Sequence, residues 1–408
     1  MNYFCFALNR LAFGLMCAVF SLHLAAQTAA PVSVQMEVYK PLQAAQEALK
    51  NSQPQQAVSL AKEALAVSKI TPAETFLAHR TLAMAALAAQ DFDQAAASLE
   101  LLLSQPGLSA PEQRPFLESL MNVSQQKKDS AGLVKWAKRY LSDGGTNPSV
   151  RPVLIQTLSL LNAHQDVVQE MQIKMKLDAA AGQKSTEAEL RILAVSYRGL
   201  KDVAGYEATL HQLLALYPSK AYWAEAIGRL NSQAQANTRF DLDVYRLSEE
   251  AGTLDDAEEY VMMAELALRA GLPADAQRVM ESGFQKGVLG QGAQASAHAK
   301  LRQLAAAKLA EDDKLMPSLE KSAKDSNAWV GLGDVGLSKQ QWAQASAMYA
   351  KALAAGPVRR EAEVYLHQAI AVFKAGDAVA SRALLAKISD DKTAVAVANL
   401  WRIRTLTH

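Results

Sequence analysis

Cysteine is almost absent from this chain. Among 408 residues there are two, Cys5 and Cys17, both close to the N-terminus. The rest of the sequence can build neither a disulfide framework nor a thiolate metal site. Glycine (20) and proline (13) are also scarce, which excludes collagen-like sequence and argues against an all-β fold rich in tight turns. Aromatic residues make up only 6% of a chain that is 50% hydrophobic. Neither sign of charge is in excess, since 42 basic residues face 41 acidic ones, and there is no long run of like charge. The clustered basic excess of a nucleic-acid binder is therefore missing, and no nucleic-acid partner is expected.

Alanine fills the space that aromatics leave, in runs such as Ala95-Ala96-Ala97. It is the best helix former because it loses no side-chain entropy in a helix. Residues 1–26 differ from the rest of the chain: Arg10 supplies a positive charge, Leu11 to Phe20 an apolar core, and Ala25-Ala26 a small-residue end. That is the pattern of a secretory signal peptide, and its core is shorter than the roughly 20 apolar residues of a membrane-spanning helix. The alternative is an uncleaved anchor. Cleavage after Ala26 removes both cysteines and one basic residue, Arg10, leaving a thiol-free chain with no net side-chain charge. A bacterial periplasmic location and no stable membrane span after cleavage are the expectations.

The segment 326–359 carries Trp329, Leu332, Gly333, Trp342, Ala345, Tyr349, Ala352 and Pro357. Small residues at Gly333 and Ala345 suit the crossing of two helices, and Trp329, Leu332 and Tyr349 fill the space around it. Gly336 stands where an aromatic is usual, which predicts looser packing in this unit. The spacing resembles the tetratricopeptide repeat (TPR), a helix pair of about 34 residues. Similar spacing recurs at about 38–71, 76–108, 187–220, 257–290 and 362–390, with weaker units at 114–147 and 150–180. Turn signals agree, as in Gln90-Asp91, Lys201-Asp202, Gly271-Leu272-Pro273 and Gly376-Asp377. The fold class implied is all-α, a TPR-type right-handed superhelical solenoid of antiparallel helix pairs, with roughly 18–22 helices.

The expected organisation is a signal peptide (1–26), a flexible mature N-terminus (27–35) and N-terminal repeats (36–230). An irregular helical segment (231–325) comes next, holding the 257–290 unit and an extra helix at Leu242–Ala251. C-terminal repeats end the chain (326–408), closed by a capping helix at Ala394–Leu406.

Chemistry-bearing motifs are weak. Gly331-Leu332-Gly333-Asp334-Val335-Gly336 matches G-x-G-x-x-G, but it sits inside a repeat helix and not after a strand. Glu118-Ser119 is the pair used by superhelical lytic transglycosylases, yet their downstream catalytic motifs are missing, so a solvated helix face is the better reading. The histidines beyond the signal (His79, His164, His211, His298, His367 and His408) are spread singly, without metal-ligand spacing. No catalytic residue, cofactor or metal is assigned.

The TPR resemblance implies that first helices of successive units line a concave groove for a peptide or protein partner. Carried onto this sequence, the groove residues are Arg80 and Met84; Arg191, Val195 and Arg198; Glu258, Val261 and Glu265; and Asn327, Val330 and Asp334. Such a groove is basic toward the N-terminal half and acidic toward the C-terminal half. Two further stretches, Gly205-Tyr206 with the run from Leu213 to Trp223, and Met263-Ala264 with Gly271-Leu272-Pro273, Gly283 and Gly287-Val288-Leu289, are similar to periplasmic TPR proteins that accompany TonB–ExbB–ExbD modules. That resemblance implies a role in energised import. The alternatives are an envelope-assembly or exopolysaccharide-export factor, and a cell-wall-active enzyme on a helical scaffold.

Overall fold

The computed structural model describes residues 34–233 and 239–407. The expected signal peptide, residues 27–33 and the Asn237-Thr238 dipeptide of the irregular segment lie outside the described residues. Twenty α-helices, one short 3-10 turn at Gly292–Gln294 and no strand make up the described part. The chain divides into two compact units, residues 1–150 and 151–408.

The first unit holds α1 (Met36–Lys50), α2 (Pro54–Leu65), α3 (Pro72–Ala88), α4 (Phe92–Ser104), α5 (Ala110–Gln126) and α6 (Ser130–Ser142). Each helix packs on the next, and α1 also touches α3. The turn inside each pair is built the same way. Ser52, Gln90 and Lys128 each adopt a left-handed conformation (φ 57 to 58°) that ends one helix. Asp91 and Asp129 then cap the next helix by accepting the backbone N–H three residues on. Alanine makes the crossings: Ala45, Ala48, Ala57, Ala61 and Ala85 are buried together with Leu82. Glu74 on α3 is fully buried and accepts from Thr71 N–H and Oγ1–H (2.8 Å each) and from Gln35 N–H (2.6 Å). Gln35 is thereby bonded to α3 where α1 begins, and Val34 packs on the apolar core around Val38. The backbone N–H groups of Gln35 and then Thr71 hold the Glu74 carboxyl down at about 2.

All of α7 (Val150–Leu160) but its first residue belongs to the second unit. The second unit continues with α8 (His164–Ala180), α9 (Glu187–Gly199), α10 (Val203–Leu216), α11 (Lys220–Gln233), α12 (Asp241–Glu250), α13 (Ala257–Arg269) and α14 (Pro273–Gln285). It ends with α15 (Ala295–Ser322), α16 (Ser326–Ser338), α17 (Trp342–Ala355), α18 (Glu361–Lys374), α19 (Ala378–Leu385) and α20 (Lys392–Arg404). The left-handed residues at the turns inside helix pairs, Ser52, Gln90, Lys128, Asn162 and Lys201, are spaced by 38, 38, 34 and 39 residues. The next such turns, at Gly271 and Gln340, come after 70 and 69 residues, two repeat lengths each. The α11–α12 stretch and the single long α15 thus each occupy the length of one pair. The irregular segment expected at 231–325 lies inside the second unit, where Phe240, Val244 and Leu247 belong to its main apolar core.

Gly336 does not loosen its pair. A Cβ there would sit 3.3 Å from the Ala345 Cα, so the missing side chain lets α16 and α17 approach closely. Gly333 leaves the matching room for the Tyr349 ring, whose carbons would lie 2.6 Å from an added Cβ. The last helix does more than cap the preceding pair. It packs on α18 and α19 and also on α10, α11 and α12. Phe240, Val244, Phe373, Val397 and Trp401 share one core, so the end of the chain closes back onto the middle of the same unit.

Candidate functional site

This closure brings charged groups from five helices together. His367 on α18 is only 12% exposed and lies between two carboxylates. Its Nδ1–H donates to Asp334 Oδ1 of α16 (2.8 Å), and its Nε2 is 3.1 Å from Asp243 Oδ1 of α12. The Tyr349 hydroxyl of α17 donates to the same Asp334 oxygen (2.7 Å). Burial alone would lower the His367 pKa, but the charges of Asp243 and Asp334 outweigh it and lift it to about 10. Both ring nitrogens are then protonated and donate. Burial acts against ionising Asp243 and Asp334, yet the imidazolium holds both below the ordinary carboxylate range. Burial and the facing Asp334 push the Tyr349 phenol well up, so it stays a donor.

The network continues behind Asp243. Arg246 Nη1 donates to Asp243 (2.9 Å), and Arg246 Nη2 donates to Asp275 of α14 (2.6 Å). Arg246, Asp243 and Asp275 are 7%, 3% and 3% exposed, and desolvation of such charges is offset only by close partners. Asp275 also accepts from Arg278, which pairs with Glu249. Glu250 of α12 accepts from Lys374 of α18 (2.7 Å) and Arg404 of α20 (3.0 Å). Arg239 reaches both Glu363 (2.8 Å) and Asp391 (2.7 Å).

In front of His367 lies a cavity of about 210 Å³ between the first helices α16 and α18. Asn327, Val330 and Asp334 line it, joined by Arg359, Arg360, Glu363 and His367. Three residues named from the repeat pattern are thus gathered at one concavity. Asp334, 26% exposed, shares its charge with His367. Burial raises the Glu363 pKa, against the pull of His367, Arg360 and Arg239.

The other named residues are dispersed. In the first unit, Arg80 is half-buried and Met84, one turn on, is 56% exposed. In the second, Arg191 and Val195 are exposed, and Arg198 lies over the Tyr206 ring at 5.4 Å. Glu258 and Glu265 are exposed, while half-buried Val261 packs on the core of α12–α15. Glu118 and Ser119 have structural partners: Glu118 accepts from the Asn147 amide, and the Ser119 hydroxyl donates to the Pro115 carbonyl. Among the described residues, no helix is long and apolar enough to cross a membrane.

No family model matches the chain, and no curated protein matches it. Solved structures do. A tetratricopeptide repeat protein from Parabacteroides merdae is 11% identical, with 83% of this chain and 100% of that chain covered, at a TM-score of 0.32. The TPR-like repeats of a putative kinesin light chain from Podosopora anserina are 16% identical, covering 46% and 95%, at 0.29. Yeast Tom70 is 10% identical, covering 91% and 94%, at 0.26. Likeness at this level says nothing about partner or activity. The fold class rests on the chain's own helices, turns and crossings, and it is an all-α array of TPR-type helix pairs.

Proposed function

We propose that the protein is a non-catalytic scaffold that receives a peptide or protein partner on the first-helix face of α16 and α18. The observation that carries this is the cavity itself. Asn327 and Val330 meet Arg359 and Arg360 there, over a floor fixed by the Asp334–His367 pair. A floor already held by ion pairs loses little freedom on binding, which favours association. Arg359 and Arg360 are exposed at the rim, and Arg360 has only a 3.5 Å contact with Glu363. The hydrogen-bonding capacity left over suits a partner segment carrying acceptors.

The finer part of the proposal is export by the N-terminal segment and association with an energised import system of the TonB–ExbB–ExbD kind. The motifs at 205–223 and 263–289 support it. The experiment is site-specific photo-crosslinking from position 330 in intact cells, with mass spectrometry of the adducts. An adduct lost in the Arg359→Glu, Arg360→Glu double variant, at unchanged melting temperature, supports the scaffold. Its persistence in that variant overturns the assigned face. Recovery of TonB-system components supports the import reading, and recovery of only export or β-barrel machinery overturns it.

A further inference from the structure

A second, larger cavity of about 360 Å³ lies within the second unit, walled by α12, α14, α18, α20 and the turn into α17. Its size is that of a small-molecule site. Trp342 and Trp401 give it an aromatic wall, with Ile370 beside them. Lys374 adds protons beyond the one given to Glu250, and its ammonium stands 5.7 Å from the Trp342 ring.

The lining charges balance, with Arg246, Arg278 and Lys374 against Asp275, Glu249 and Glu250. A ligand with net charge would leave that charge uncompensated in a partly desolvated space. A zwitterion would not. We propose that this cavity binds a small amphipathic zwitterion, a free amino acid or short peptide with both termini unblocked and an apolar side chain. Its carboxylate accepts from Lys374, whose ammonium stands beside the Trp342 ring. Its ammonium donates to Glu249, which is 29% exposed and spends one oxygen on Arg278. Its side chain lies on Trp342 and Ile370.

The site is separate from the first-helix cavity, so it stands or falls independently of partner capture. The test is calorimetric titration of the full chain with phenylalanine, leucine and leucyl-phenylalanine, and with the N-acetyl and C-amide form of each. Indole fluorescence gives a second readout. The expected result is saturable binding of the free forms, weakened about tenfold or more by blocking either end, the effect of losing a charge-assisted hydrogen bond. Glu249→Gln, checked for folding by circular dichroism, should weaken the free forms and leave the N-acetyl forms unchanged. Absence of saturable binding at millimolar ligand overturns the proposal. So does equal binding of blocked and free forms, or unaltered binding of the free forms to Glu249→Gln.

Discussion

His367 Nδ1 lies 2.8 Å from Asp334 Oδ1, and the two residues are 33 positions apart, one repeat length. Neighbouring first helices are thus joined by a charge pair, with Asp243 completing it from the other side. Removing the imidazolium leaves two buried carboxylates facing each other. His367→Leu is expected to cost about 3–5 kcal/mol, the usual penalty for breaking a buried pair from one side. Urea unfolding of the second unit measures it. A loss below about 1 kcal/mol would mean that water already solvates these carboxylates.

The same pair sets a pH dependence. The folded-state pKa of His367 is raised from 6.5 to about 10. Protons are therefore held more tightly in the folded state, and the stabilisation is fully present below pH 6.5. It is lost as pH rises through about 10. The denaturation midpoint of the wild type should fall across that window, and in His367→Gln the fall should flatten. On the acid side the sign reverses. Glu74 is lowered from 4.5 to about 2, so its contribution is present above pH 4.5 and lost as pH falls through 2. Glu74→Gln should flatten the acid limb of unfolding in the first unit.

Gly333 is required by Tyr349. A methyl at position 333 would meet the ring at 2.6 Å, and the ring cannot retreat without releasing its hydroxyl from Asp334. Gly333→Ala is expected to destabilise by about 1–3 kcal/mol through overpacking, despite the better helix propensity of alanine. Thermal melts of the single variant and of Gly333→Ala with Tyr349→Phe separate the two parts. If the double variant recovers nothing, the hydroxyl–Asp334 contact is not what pins the ring.

Local features are legible in the sequence because they are written in adjacent residues. Gln90-Asp91 and Lys201-Asp202 state a left-handed turn followed by a cap, and the structure has both. Gly333, Ala345 and Tyr349 state a helix crossing. Asn327 and Val330 can be found because the repeat fixes which helix face they occupy. His367, by contrast, reads as one more scattered histidine. A faint signal exists, an aspartate and a histidine one repeat apart. Its second partner, Asp243, is 124 residues away on a helix outside the repeat pattern, and no spacing rule reaches it. The return of α20 onto α10–α12 is illegible for the same reason, since a repeat motif describes neighbours in sequence and not the ends that meet.

That return has its own test in Glu250. One carboxylate of α12 accepts from both Lys374 and Arg404, tying α18 and α20 to the middle of the unit. Glu250→Gln keeps the shape and removes the charge, leaving two cations short of a counter-ion. The expected cost is about 1–3 kcal/mol, the range for hydrogen bonds to charged groups. Because Glu250 is where α20 is tied by charge to α12, the loss should appear as local opening of that helix before global unfolding. Amide exchange should therefore quicken in Lys392–Arg404 and in the C-terminal turns of α18. Amides of α1 to α6, which lie in the other unit, should not change. Exchange that quickens equally in both units would mean the carboxylate supports global stability. Unchanged exchange in α20 would mean the apolar contacts of Trp401 and Val397 hold the closure without it.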